Sequence, residues 1–151
     1  MVKARADILI QRSPDRVFGF VVRDFFQNYP RWSPEVRRLD LLTPGPLRVG
    51  SRARQVRVDQ GRRSESVFRV TALDEPTGVE FCERSNLFCI AYQIQSLGGR
   101  TRLVFSFDLN RLELYMRPFE KLIRVAVQDG AERVVRNIKG LMEREPDRPM
   151  A

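Results

Sequence analysis

Residues 2–11, VKARADILIQ, alternate apolar and polar positions, with Val2, Ala4, Ala6, Ile8 and Ile10 on one side. A period of two predicts a half-buried strand. The period then changes. In SPDRVFGFVVRDF, Val17, Phe18 and Val21 recur at helical spacing. Ser13 suits an N-cap, Pro14 the first helical position and Asp15 the positive helix end, so a short helix is predicted to about residue 22. A second short helical segment is predicted over 26–32. It ends before Pro34, because a residue ahead of proline is pushed out of helical geometry.

From residue 35 to 109 the pattern is strand and turn. Strands are predicted near 35–42, 50–58, 63–73, 78–84, 87–97 and 100–109, separated by TPGPLRVG, DQGR, DEPTG, RSN and LGG. All five breaks carry turn chemistry, and turns this short between successive strands imply an antiparallel meander. Side-chain parity makes the register specific. A two-residue turn at Gly98-Gly99 sets Ile94 against Leu103, Tyr92 against Phe105 and Ile90 against Phe107. A turn at Ser85-Asn86 sets Phe81 against Ile90 and Val79 against Tyr92. The two turns, read separately, put the large apolar residues on one face, which Phe68 and Val70 extend. For RARQVRV two phases stay open: Ala53 and Gln55 inward, or Arg54 and Val56.

The last third is helical. From about 116 to 144, Phe119, Ile123, Ala126, Val127, Gly130, Val134, Ile138 and Leu141 fall at three- and four-residue spacing, one long amphipathic helix. At 1.5 Å per residue it reaches about 40 Å, enough to cross a whole curved sheet. Pro146 and Pro149 lie beyond its end, in a short tail at 146–151, so the expected organisation is one domain over 1–145.

Composition narrows the function. The chain has 151 residues and a net charge of +8, and 24 of its 27 basic residues are arginine. The arginines are scattered and the aromatics do not interleave with them, so a solvated basic surface is expected, with no specific nucleic-acid partner. Histidine is absent, which removes the usual general base, the usual triads and most zinc sites; no metal or cofactor is expected. No apolar run is long enough for a transmembrane segment, and the N-terminal stretch lacks a signal-peptide core, so a cytoplasmic location is expected. Cys82 and Cys89 have no metal-binding spacing. The register sets them opposite each other on the outer face, as a hydrogen-bonded pair with Cα atoms near 5.5 Å. Reduced, adjacent thiols are expected there.

The order of elements and several short stretches resemble the START-like (SRPBCC) superfamily, in particular its polyketide cyclase/dehydrase branch. The stretches are ILIQRSPDRVFGFVVRDFFQNYPRWSPEV (8–36), GPLRVGSR (45–52), GGRTRLVFSFDL (98–109) and NIKGLMER (137–144). The resemblance implies an α+β helix-grip fold, a curved antiparallel sheet wrapped around the long C-terminal helix, with two short helices after the first strand. It also implies an internal cavity for a hydrophobic small molecule: polyketide-, lipid- or quinone-like.

In such a fold Phe26 and Trp32 would sit near the cavity mouth, or Trp32 would plug the gap between its helix and the sheet. The wall would comprise Phe68, Phe81, Tyr92, Phe105 and Phe107 from the sheet and Phe119, Ile123 and Val127 from the helix. Tyr92, Ser66 and, in one phase of its strand, Arg54 would supply polar contacts. A pocket of roughly 300–1,000 Å³ touching Trp32, Tyr92 and at least two phenylalanines is the expectation. Binding is the leading reading. A polyketide or aromatic cyclase/dehydratase acting through polar cavity residues is the alternative, since no convincing carboxylate pair or activated nucleophile is present. A third class, an interaction protein whose basic surface meets nucleic acid or an anionic membrane, would need a continuous arginine patch. The oligomeric state is left open, a homodimer included.

Overall fold

In a computed structural model the described residues are 1–145, so the expected tail at 146–151 lies outside them. Strands β1 (Val2–Ile10), β2 (Val36–Leu41), β3 (Arg52–Asp59), β4 (Arg62–Asp74), β5 (Gly78–Glu83), β6 (Phe88–Leu97) and β7 (Arg100–Leu109) form one antiparallel sheet. Its order is β1-β7-β6-β5-β4-β3-β2. Hairpins join β2 through β7 in sequence, and β1 closes the sheet beside β7. The expected register holds: Ile94 pairs with Leu103, Tyr92 with Phe105, Ile90 with Phe107, Phe81 with Ile90 and Val79 with Tyr92.

Helices bridge the passage from one sheet edge to the other. Helix α1 (Pro14–Phe18) starts as expected, with the Ser13 Oγ accepting from the Arg16 N–H. It continues as a π-helical turn over Gly19–Arg23 and is followed by α2 (Phe25–Trp32). Arg23 pairs with Asp15 of α1 and with Glu75 in the β4–β5 turn, fixing this layer to the sheet.

The long helix α3 (Glu120–Arg144) begins after a 3₁₀ turn at Leu114–Phe119, four residues later than the pattern predicts. Pro118 accounts for the delay, because its ring bars the residue before it from α geometry. The helix lies along β1 and β7 and touches α2. Ala131, Val135, Ile138 and Met142 form its buried stripe, while Ala126, expected inward, is exposed. Polar ties fix its position along β1. Gln128 Nε2 donates to the Arg5 carbonyl at 2.9 Å, Lys139 Nζ to the Leu9 carbonyl at 2.5 Å, and Glu143 accepts from the Gln11 N–H at 2.8 Å. A curved antiparallel sheet wrapped on a long C-terminal helix, with two short helices after the first strand, is the helix-grip arrangement. No helix among the described residues is long and apolar enough to cross a membrane.

Candidate ligand-binding site

Burial along the inner face of the sheet is graded. Ala53, Phe68, Val70, Val79, Phe81, Tyr92, Ile94, Leu103 and Phe105 are buried, whereas Ser66, Phe88, Ile90, Phe107 and Leu109 on the same face are half-buried. Register aligns the half-buried positions at one end: Phe88 pairs with Leu109, and Ile90 with Phe107. The first half of α3 lies over that end, where Arg124 reaches the Met1 carbonyl beside the Val2–Leu109 pair. There the helix offers half-buried Ile123 and Val127, with Phe119 half-exposed at the lip. The grip is closed under α1 and α2 and open at the other end. Half-buried apolar side chains from both the sheet and the helix therefore gather at that end.

The closed end is solid. Phe25 stacks on Phe81 with centroids 4.4 Å apart, Trp32 meets Tyr92 at 5.8 Å, and Tyr92 meets Phe105 at 5.1 Å. Trp32 and Tyr92 each expose 1% of their surface, so both rings are packed on nearly every side. The expected pocket touching both is therefore corrected to a packed aromatic floor. Two open depressions of about 580 and 660 Å³ are present, one over the ends of β4–β6 with Tyr92 in its lining and one beside Asn110, Arg111 and Arg117; neither touches Trp32. Trp32 is the plug: its Nε1 donates to the Tyr92 hydroxyl at 3.3 Å, and its carbonyl accepts from Asn137 Nδ2 of α3 at 2.9 Å. Phe26 is half-buried and packs edge-on against Phe25.

The polar wall differs from expectation in one residue. Arg54 points outward and faces Glu65 at 3.5 Å, so its placement in the site is corrected. Ala53 pairs with Phe68 and Gln55 with Ser66, the inward phase, which two residues on brings Arg57 inward instead. Arg57 Nη1 donates to the Tyr29 hydroxyl at 2.9 Å, and that hydroxyl contacts Gln55 Oε1 at 2.8 Å. Gln55 Nε2 in turn donates to Ser66 Oγ at 3.2 Å.

This chain of groups stands on the arm of β3 and β4 that extends past the Phe68 row. Asp59 holds the other side of the guanidinium, at 3.0 Å. Burial alone would depress the Arg57 pKa, but the Asp59 and Tyr29 hydrogen bonds outweigh it and raise it. Burial pushes the Tyr29 and Tyr92 hydroxyls up, so at neutral pH both are protonated donors, not bases.

Sequence reading missed Arg57 and Tyr29, although a signal existed. Gln60-Gly61 is a two-residue turn with positive φ at both positions, and the Asp59–Arg62 pair it closes fixes the phase of β3.

Cys82 and Cys89 face each other on the outer side, as the register requires, but form a disulfide. Their Cα atoms are 4.1 Å apart, closer to a non-hydrogen-bonded pair than to the hydrogen-bonded pair expected. The turn is the cause. Asn86 N bonds the Glu83 carbonyl, so the hairpin closes through a longer loop than Ser85-Asn86 alone.

The model of the family described as polyketide cyclase/dehydrase and lipid transport matches residues 1–143. The chain belongs to this family. Its description joins enzymes acting on polyketides to carriers of lipid, and at that level it supports hydrophobic-ligand binding.

Solved structures agree on the fold. The chain is similar to TTHA0849 from Thermus thermophilus, with TM-score 0.74, 17% identity, and coverage of 95% of this chain and 99% of that one. It is also similar to the di-domain ARO/CYC BexL from the BE-7585A biosynthetic pathway, with TM-score 0.72, 18% identity, and coverage of 95% of this chain and 47% of that one. Ginseng major latex-like protein 151 from Panax ginseng follows, with TM-score 0.67, 17% identity, and coverage of 92% and 95%. No curated protein matches the sequence.

Proposed function

We propose that the chain binds a largely apolar small molecule, polyketide-, lipid- or quinone-like, in the half-open groove between the first half of α3 and the sheet. The apolar body rests on Ile90, Phe107, Ile123 and Val127, above the aromatic floor. One hydrogen-bond-accepting oxygen points to Arg57 and Ser66. Asp59 already offsets the Arg57 charge, so the wall favours a carbonyl or phenolic oxygen over a free anion. The observation that carries this reading is the row of half-buried apolar residues on the inner face of the sheet, which also bears the Arg57–Tyr29–Gln55–Ser66 chain.

The test is titration of naphthol, a small aromatic with one oxygen, into the wild-type chain and into Val127→Trp, which fills the groove. Saturable binding lost in the variant supports the reading. Equal binding by both would overturn it.

A second reading, a cyclase/dehydratase, is favoured by that same polar chain, which could hold and polarise a carbonyl. Tyr29 would act as a proton donor to the carbonyl oxygen, since burial keeps it protonated. Turnover of a linear polyketide analogue that falls in Tyr29→Phe without loss of binding would promote it above simple binding. For the expected cytoplasmic location, the disulfide is the contrary observation, because such bonds persist where thiols are not kept reduced. Alkylation of thiols in freshly lysed cells decides between the two.

A further inference from the structure

The tip of the fold that borders the groove carries an unusual surface. Leu114 and Tyr115 of the 3₁₀ turn, Phe119, and Leu122 and Val125 of α3 are all exposed, Leu122 by 70%. They are neighbours on one turn and the first two turns of one helix, so they make a contiguous apolar patch, which soluble monomers seldom leave open. Leu122 and Val125 point away from the buried stripe of Ala131, Val135 and Ile138, so burying them would cost the fold nothing.

Basic residues are interleaved with the patch. Residues 111–125 hold Arg111, Arg117, Lys121 and Arg124 against Glu113 and Glu120, and Glu120 is taken up by Arg124 at 3.4 Å. Arg111 and Arg117 line the open depression beside Asn110 at the foot of the patch.

We propose that this tip docks on an anionic lipid surface, with Leu114, Tyr115, Phe119, Leu122 and Val125 entering the interface and Arg117 and Lys121 meeting the headgroups. Charge decides between this occupant and a second copy of the chain. Two copies meeting through the patch would bring like-charged rims together, and the net charge of +8 adds to the repulsion. An anionic interface meets both halves of the pattern, the apolar side chains by burial and the basic ones by attraction. The inference rests on the exposure and charge of the tip and does not require the groove to bind anything. If the groove does bind a lipid-like molecule, the docked tip sets its open end toward the membrane.

The test is co-sedimentation of the full chain with vesicles of phosphatidylcholine alone and of phosphatidylcholine with phosphatidylglycerol. Binding to the anionic vesicles only is expected, weakening as salt rises. A basic residue at such a surface contributes roughly a five-fold factor, so Arg117→Glu with Lys121→Glu should lower partitioning by at least about twenty-five-fold. Leu122→Asp with Val125→Asp should abolish it without moving the thermal melt. Leu97→Asp, an exposed apolar residue at the opposite tip, should change nothing.

Three results would each overturn the proposal. One is retention of binding by Leu122→Asp/Val125→Asp, which reduces the effect to general charge. Another is equal binding to both vesicle types. The third is a lipid-free dimer, seen by sedimentation equilibrium, that these two substitutions disperse. Naphthol titration of the same variants separates this result from failure of the groove reading, since the tip substitutions should leave it unchanged.

Discussion

The Trp32 indole donates to the Tyr92 hydroxyl at 3.3 Å, and both rings are buried where α2 closes over the sheet. The bond spans 60 residues of sequence and ties a helix to an inner strand, β6. A buried indole N–H left without an acceptor costs about 1–3 kcal/mol. Tyr92→Phe should therefore lower unfolding free energy by about that amount in urea titration. Trp32→Ala, which also opens a void among Phe25, Tyr29 and Tyr92, should cost about 3–5 kcal/mol. Trp32 is the chain's one tryptophan, so its emission should be blue-shifted when folded and move red on unfolding.

A pH dependence follows from the same floor. Tyr29 and Tyr92 have folded pKa values raised above the ordinary value of 10, chiefly by burial. A group whose folded pKa is raised stabilises fully below its unfolded pKa, and that contribution is lost as pH climbs through and above it. Stability in urea should thus be flat with respect to these groups up to about pH 9 and fall from about pH 10 upward. Tyr29→Phe should flatten part of the alkaline fall relative to wild type. An unchanged slope would remove Tyr29 from the account.

The sheet was legible because two turn signals fixed parity independently. Gly98-Gly99 and the RSN break each placed Ile90 and Tyr92 inward, and neither could slip by one residue without exposing the whole set. The floor of Phe81, Tyr92 and Phe105 followed from that parity. Arg57 was not legible in the same way, since RARQVRV offers apolar residues on both phases and only the Gln60-Gly61 turn chooses between them. The long helix was readable as a helix, but its buried stripe was displaced. Periodicity alone joined Phe119 and Ala126 to the face, while packing along β1 selected Ala131, Val135 and Met142. Closure was the least legible property. Alternating apolar residues look alike whether they line a hollow or fill it, and the difference lies in how closely α2 approaches the sheet.

The disulfide on the outer face gives a prediction with two parts. Closing the loop from Cys82 to Cys89 removes chain entropy equivalent to about 2.5 kcal/mol at most, and the adjoining ladder already restrains that hairpin. Cys82→Ser with Cys89→Ser should lower stability by about 2 kcal/mol or less, read by thermal melting. Naphthol binding should be unchanged, because both side chains lie on the face away from Phe81 and Ile90. Thiol titration of the unfolded, unreduced wild type should find no reactive sulfhydryl.

The sharpest test of the polar wall compares two ligands on one substitution. Arg57→Gln keeps a shorter, neutral donor but removes the guanidinium that holds Tyr29. If a ligand oxygen accepts from Arg57, losing that charge-assisted bond should weaken naphthol by about 1.5–3 kcal/mol, or about ten- to a hundred-fold. Naphthalene, with the same body and no oxygen, should bind wild type and variant alike within a factor of about two, since only apolar contact with Ile90, Phe107, Ile123 and Val127 remains. Asp59, half-exposed at 49%, keeps its access to water in the variant, so the substitution strands no buried charge and the fold should survive. Equal weakening of both ligands would mean that Arg57 shapes the groove without contacting the oxygen. No weakening of either would place the bound molecule away from the β3–β4 arm altogether.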